Sequence, residues 1–378
     1  MDIRSIETAG PLQGVTVLLR ASLNVPLDNG VVRNRYRLAH ALPTMQYLQA
    51  AGARTVVLGH IGRDPADTLV PVHEALSDDI AIQWGGAVTD SEFATMVGGL
   101  RDGDILLAEN LRQDEREVHN DSEFAAYLAS LGDLYVNDAF ANLHREHASM
   151  TGIPHHLPAY AGLRVVAEVA ALRHTTQPAH PSLFILGGAK FATKLGLVEQ
   201  YLDIYDELFI GGALAHDILQ ARGYEIGRSL VSDVSLASVP WVHDARIIVP
   251  SDVVVCRADG QVMAVPIADV QADDTIYDCG PNTIAMLQAR IMAAATVLWN
   301  GPLGNYEAGY STGTEQIATA LADSAAASYV GGGDTVAAIE TVGRAHDFTF
   351  ISTGGGAMLA FLEHGSLPAL TPLLEFTD

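Results

Sequence analysis

SLFILGGAKFATKLG, residues 182–196, reads as a strand, a glycine turn and the start of a helix in direct succession. Leu183–Leu186 form an unbroken apolar run without polar alternation, which suits a parallel strand covered on both faces. Gly187 and Gly188 allow a tight turn, and FATKLG opens the next helix with Lys194.

The same pattern recurs along the chain. Apolar runs VTVLLR (15–20), TVVLGH (55–60), DILLAEN (104–110) and LYVND (134–138) occupy the first half. SLFILGG (182–188), ELFIGG (207–212), RIIVPSD (246–252), TVLWNG (296–301), SYVGGGD (328–334) and FTFISTGGG (348–356) occupy the second. Most end in a polar or glycine-rich turn, and helix-like stretches such as AHALPTMQYLQAAG (39–52) follow them. Strand–helix alternation of this kind predicts α/β architecture with parallel sheets. Between the halves, AGLRVVAEVAALRH (161–174) has helical spacing, and TTQPAHPS (175–182) reads as a boundary. The chain is therefore expected to form two α/β domains joined near 160–180 by a helix.

Composition narrows the partners. Hydrophobic residues make up 49% of the chain and charged ones only 17%, yet the net charge is −24. Nucleic acid and anionic membranes reward clustered Lys and Arg, so neither is expected. No uninterrupted apolar run reaches the ~18 residues of a membrane helix, and MDIRSIETAGPLQG lacks the basic and apolar regions of a signal peptide. The two cysteines, Cys256 and Cys279, have no metal-site spacing. A cytoplasmic protein is expected.

In open parallel sheets, ligands bind beyond the carboxyl ends of the strands. The first half places Arg20, Asn24, His60, Arg63, Asn110, Arg112, His144, Arg145 and His147 there. The second half places glycines: 187–188, 211–212, 301, 331–333 and 354–356. Singly, each has an ordinary alternative, such as a surface ion pair, a core histidine or a plain turn. Their shared address points to one domain that grips an anion with guanidinium groups and another that offers backbone N–H groups and helix N-termini to phosphates. The chain has only two lysines among 21 basic residues, Lys190 and Lys194, both just after a glycine pair. A lysine is a compact, mobile charge that can follow a phosphoryl group. Neither a Walker A motif nor a dinucleotide G-x-G-x-x-G is present.

Ten stretches in order give the chain a resemblance to the phosphoglycerate kinase family: RASLNVP (20–26), RNRYRLAHALPT (33–44), GHIGR (59–63), ENLR (109–112), NDAFANLHREHAS (137–149), GGAKFATK (187–194), DCGP (278–281), WNGPLGNYE (299–307), GGGDT (331–335) and STGGGA (352–357). The resemblance implies two doubly wound, Rossmann-like parallel-sheet domains joined by a hinge helix, with a cleft between them. The N-terminal domain would span 1–160, the hinge 161–180 and the C-terminal domain 181–360, with 361–378 packing back on the first. It implies reversible phosphoryl transfer between 1,3-bisphosphoglycerate and ADP, giving 3-phosphoglycerate and ATP, after domain closure, in a monomer.

By the same resemblance, Arg63, Arg112 and Arg145 would hold the substrate phosphate, with Asn24, His60 and His144 nearby. Arg37 would stabilise the charge in transfer. Lys194 would contact the nucleotide phosphates and Lys190 the migrating phosphoryl group, while Gly355, within Gly354–Gly356, would aim backbone N–H groups at it. Asp334 would hold Mg2+, with Thr335 beside it; Glu307 would take the ribose; Gly211, Gly280, Asn300, Pro302 and Gly331–Gly333 would line the nucleotide site. The sequence departs from the family pattern at Ser22, where an aspartate is usual, and at Ala213, where a third glycine is usual; His216 follows at a variable place. These departures leave open an alternative: a nucleotide-binding relative with weak or altered activity.

Overall fold

The computed structural model describes residues 2–189, 194–236 and 238–375. The chain divides into two compact units, Met1–Ala170 with Ser366–Asp378, and Ala171–Gly365.

The first unit is built on β1 (Thr16–Arg20), a small antiparallel pair β2 (Leu27–Asp28) and β3 (Val31–Val32), then β4 (Arg54–Leu58), β5 (Gln83–Gly86), β6 (Ile105–Ala108), β7 (Leu134–Asn137) and β8 (Ala159–Ala161). Six of these form a parallel sheet ordered β5-β6-β4-β1-β7-β8. Its helices are α1 (Tyr36–Ala50), α2 (Val70–Ser77), α3 (Phe93–Gly98), α4 (Glu115–Val118) and α5 (Ser122–Ala129). The apolar runs become central strands because both faces are covered: Val17–Arg20 and all of β6 and β7 are buried. Asp121 caps α5 by accepting from the Phe124 N–H at 2.8 Å. The strand order reverses between β1 and β7, where Arg20 pairs with Asn137, so the carboxyl ends of those two strands form the ligand crevice of such a sheet.

Helix α6 (Leu163–His174) follows the apolar periodicity of 161–174, and the division between the units falls within it. Residues 366–375 add to the first unit. Ile3 bridges Leu374, the Arg4 N–H donates to the Leu373 carbonyl at 2.8 Å, and the Ala369 N–H donates to the Leu143 carbonyl at 3.0 Å.

In the second unit, β9 (Ser182–Leu186), α7 (Leu195–Leu202), β10 (Glu207–Ile210), α8 (Ala213–Ala221) and β11 (Ile247–Ile248) come first. Next come β12 (Asp252–Cys256), β13 (Val262–Pro266) and β14 (Thr275–Cys279), then α9 (Pro281–Ala293), β15 (Thr296–Asn300) and α10 (Thr312–Asp323). The last elements are β16 (Ala327–Gly331), α11 (Gly333–Val342), β17 (Phe350–Ile351) and α12 (Gly355–His364). The parallel sheet is ordered β11-β10-β9-β15-β16-β17 and reverses between β9 and β15.

One expectation is corrected here. The run RIIVPSD is a two-residue strand followed by the start of β12, which belongs to a separate antiparallel sheet ordered β13-β12-β14. Pro250 lies between the two strands and supplies no N–H to a ladder. Among the described residues, no helix is long and apolar enough to cross a membrane.

Candidate active site

At the carboxyl ends of β1, β4, β6 and β7, the first unit gathers its cations. Arg20 is fully buried. Its guanidinium donates to Ser149 Oγ at 2.8 Å, to the Ala21 carbonyl at 2.7 Å and to His60 Nδ1 at 2.6 Å. Because a guanidinium only donates, His60 Nδ1 must accept, and the ring proton then sits on Nε2. That buried Nε2 has no partner. Burial first, then Arg20, Arg112 and Arg145, hold the His60 imidazole far below its usual range, so it stays neutral.

Arg112 donates to the Gly62 carbonyl, and its buried Nε has no partner. Burial and then Arg145 lower it to about 10. Arg37 donates to the Asn24 carbonyl at 2.5 Å, and Asn24 Oδ1 accepts from the Gly62 N–H at 3.0 Å. Asn24 thus ties the arginine to the β4 loop. Arg145 is lowered by burial and by Arg63, and its Nε approaches His144 Nε2 at 3.4 Å. Buried His144 Nδ1 and Ser22 Oγ have no partner.

Among the described residues, Arg37, Arg63, Arg112 and Arg145 form no ion pair. The fully buried Glu117 accepts from the Ser149 N–H at 2.9 Å and hydroxyl at 2.6 Å and lies 3.8 Å from His147 Nδ1. Burial and neighbouring arginines lower His147 to about 4. Five arginines gathered at these strand ends, four of them without an ion-pair partner among the described residues, leave a positive potential, which a multiply charged anion relieves. All of the first-half site residues named from the sequence except Arg63, which is exposed, are at least half-buried in this region. The sequence names Arg20 only as one of the strand-end cations, and Glu117, which supports it through Ser149, is not named from it at all.

In the second unit, a cleft of about 720 Å3 lies over the carboxyl ends of β9, β10, β15 and β16. Its lining includes Lys194, Asn300, Pro302, Glu307, Gly332, Gly333, Asp334 and Gly355. The close loops explain the glycines. A Cβ on Gly212, at φ +60°, would meet the Gly188 N at 2.7 Å, and one on Gly301, at φ +94°, would meet the Gly187 carbonyl oxygen at 2.4 Å. Helices α8, α11 and α12 begin on this rim; the first N–H groups of α11 and α12 and the positive dipole ends there favour an anion, whereas in α8 the Leu214 N–H already donates to the Gly188 carbonyl at 3.1 Å.

Lys194 is 7% exposed and donates to the Gly187 carbonyl at 2.6 Å; burial lowers its ammonium to about 8. Lys190 lies outside the described residues, as does Thr193. Asp334, in the first turn of α11, is raised by burial and by Glu307. A cation would relieve both effects. No group of three acidic, histidine or cysteine residues that could enclose a metal exists among the described residues. A single carboxylate such as Asp334 could serve as one oxygen ligand to a divalent cation.

Gly211, Gly280, Gly331 and Thr335 do not line the cleft. They pack beneath it: Thr335 Oγ1 accepts from the Gly301 N–H at 3.1 Å, and a Cβ on Gly331 would meet Met358 Sδ at 2.2 Å. Among the lining residues without an assigned contact are His216, Tyr277 and Asp278. DCGP contains Asp278, but nothing local in the sequence shows that β14 reaches this cleft.

A family model described as Phosphoglycerate kinase matches residues 7–365. The chain is 39% identical to phosphoglycerate kinase of Methylorubrum extorquens and 39% identical to that of Roseiflexus castenholzii, each match covering 98% of both chains. It is similar to the solved phosphoglycerate kinase of Coxiella burnetii, with TM-score 0.81 and 34% identity, and to that of Pyrococcus horikoshii, with TM-score 0.86 and 29% identity. Each of these structural matches covers 98% of both chains.

Proposed function

The chain belongs to the phosphoglycerate kinase family, and we propose from that premise that its two units divide the two substrates between them. The reaction is reversible phosphoryl transfer between 1,3-bisphosphoglycerate and ADP, giving 3-phosphoglycerate and ATP. In this reading the basic cluster takes the phosphoglycerate and the glycine-rimmed cleft takes the nucleotide.

The observation that carries it is the set of four arginines without acidic partners. Arg63, Arg112 and Arg145 bind the phosphate, with neutral His60 donating from Nε2 and His144 beside it. Ser22 Oγ, buried and unpartnered, receives the substrate hydroxyl. Arg37, tethered by Asn24, sits at the transferring group and offsets the charge spread over its oxygens. Phosphoryl transfer needs positioning and charge stabilisation more than covalent help. In the cleft, Lys194 and the N-termini of α11 and α12, including Gly355, hold the phosphates, with Lys190 at the migrating group. Glu307 takes the ribose, and Asn300, Pro302 and the glycine loops shape the pocket. A magnesium ion bound with the nucleotide, held by Asp334, supplies further neutralisation of phosphate charge.

The reading of an altered activity is not favoured by the near-complete match to enzymes named phosphoglycerate kinase. The proposal extends to a cytoplasmic monomer, carried by the family resemblance. Calorimetric titration tests the division of substrates. Arg112→Ala abolishes 3-phosphoglycerate binding and spares MgADP, whereas Lys194→Ala does the reverse. Loss of the wrong ligand in either variant overturns the assignment.

A further inference from the structure

We infer that His216 reads the nucleobase, accepting a hydrogen bond from the exocyclic amino group of adenine at Nε2 and so selecting adenine over a 6-oxopurine. The inference rests on the cleft being the nucleotide site, and it concerns a part of the cleft far less polar than the glycine rim. Helix α8 and the antiparallel sheet contribute an apolar wall there, formed by Leu219, Leu230, Val253, Ile276 and Tyr277. A flat, largely apolar ring belongs against such a wall, where a few placed polar groups settle its identity.

His216 is the imidazole in this wall. Its Nδ1 lies 2.7 Å from the Leu230 carbonyl oxygen, which can only accept, so Nδ1 carries the proton. The ring is 5% exposed, and burial lowers its affinity for a second proton despite Asp217 beside it. The neutral tautomer is therefore set, and Nε2 presents a lone pair. That atom has no hydrogen-bond partner among the described residues, while His216 lines the cleft. The support for the ring is doubled one residue on: Asp217 Oδ1 accepts from the Ser232 N–H at 3.0 Å and its hydroxyl at 2.8 Å, which keeps the 230–232 segment against α8.

A lone pair held at a base pocket pairs with a donor and opposes an acceptor. Adenine presents an amino donor at position 6, hypoxanthine an oxygen, and unsubstituted purine neither. A single neutral hydrogen bond is worth about tenfold in affinity.

The test is kcat/KM for the magnesium complexes of ATP, inosine triphosphate and purine riboside triphosphate, in wild type and in His216→Phe. Wild type is expected to prefer ATP over each analogue by about tenfold, and the variant to bring both ratios near one. A ratio near one in wild type, or a preference that survives in the variant, overturns the inference. If the phenylalanine variant does not fold, His216→Leu carries the same comparison. Lys194→Ala is run in parallel. If it weakens all three nucleotides while His216→Phe leaves their ratios intact, the base reading fails and the cleft assignment stands. If it weakens none, the cleft assignment itself is lost, and the base reading with it.

Discussion

Lys194 shows what a single side chain can carry. Burial lowers its ammonium from 10.5 to about 8. Between those values the unfolded chain binds a proton that the folded one has lost. The unliganded protein should therefore gain stability as pH rises from about 8 to 10.5, the burial penalty being fully present below 8. Nucleotide phosphates need the charged form, so MgADP affinity should move the other way. Calorimetry at pH 7 and 9.5 is expected to show binding weaker by roughly tenfold or more at the higher pH; equal affinities would remove Lys194 from the phosphate site. Arg37 makes the companion prediction. Arg37→Ala should depress turnover by about two orders of magnitude or more while the circular dichroism spectrum stays unchanged, and near-native rates would displace it from the reacting group.

Among the elements, the start of α6 depends on a carboxylate from another strand. Asp138, just past β7, accepts from the Arg164 N–H at 2.8 Å and the Val165 N–H at 3.3 Å, capping a helix whose own sequence supplies no cap. The arrangement leaves the acid buried, and burial raises its carboxyl to about 7 despite those hydrogen bonds. A raised carboxyl means that the folded form holds its proton more tightly, so the burial penalty appears as pH rises and is complete above about 7. Asp138→Asn keeps the acceptor and removes the charge. Its melting temperature should exceed wild type by several degrees at pH 8, the gap narrowing as pH falls and closing only below about 3.8. A shift independent of pH would mean that packing, not charge, dominates there.

Across the whole molecule, the chain carries a net charge of −24, yet the first unit concentrates unpaired arginines at one set of strand ends. Local placement, not overall charge, makes the anion site. If each unit holds its own substrate, protection from hydrogen exchange should follow the ligand. 3-Phosphoglycerate should slow exchange in segments 59–63, 109–112 and 143–149. MgADP should slow it in 211–216, 300–307 and 332–335. Protection of the wrong unit by either ligand would contradict the division of substrates.

The legible part of this protein lies where local pattern and final environment agree. Parallel strands buried on both faces are continuous apolar runs, so β1, β4, β6, β7, β9, β10, β15 and β16 could be read directly. The strand-end arginines and glycines could be read too, because such a sheet offers ligands only one edge. Gly85 and Gly86 hid β5, a strand without an apolar run, and the antiparallel sheet carries exposed positions along β13 that break the pattern. Only folding could show that Glu117, 32 residues from Ser149 in sequence, underlies Arg20 and through it turns His60 into an N–H donor. Only folding could bring Leu230 to His216 and choose its tautomer. Strand and helix follow from neighbours along the chain, but a side chain's charge and proton are decided by groups distant in sequence, through desolvation and hydrogen bonds that exist only once the core has closed.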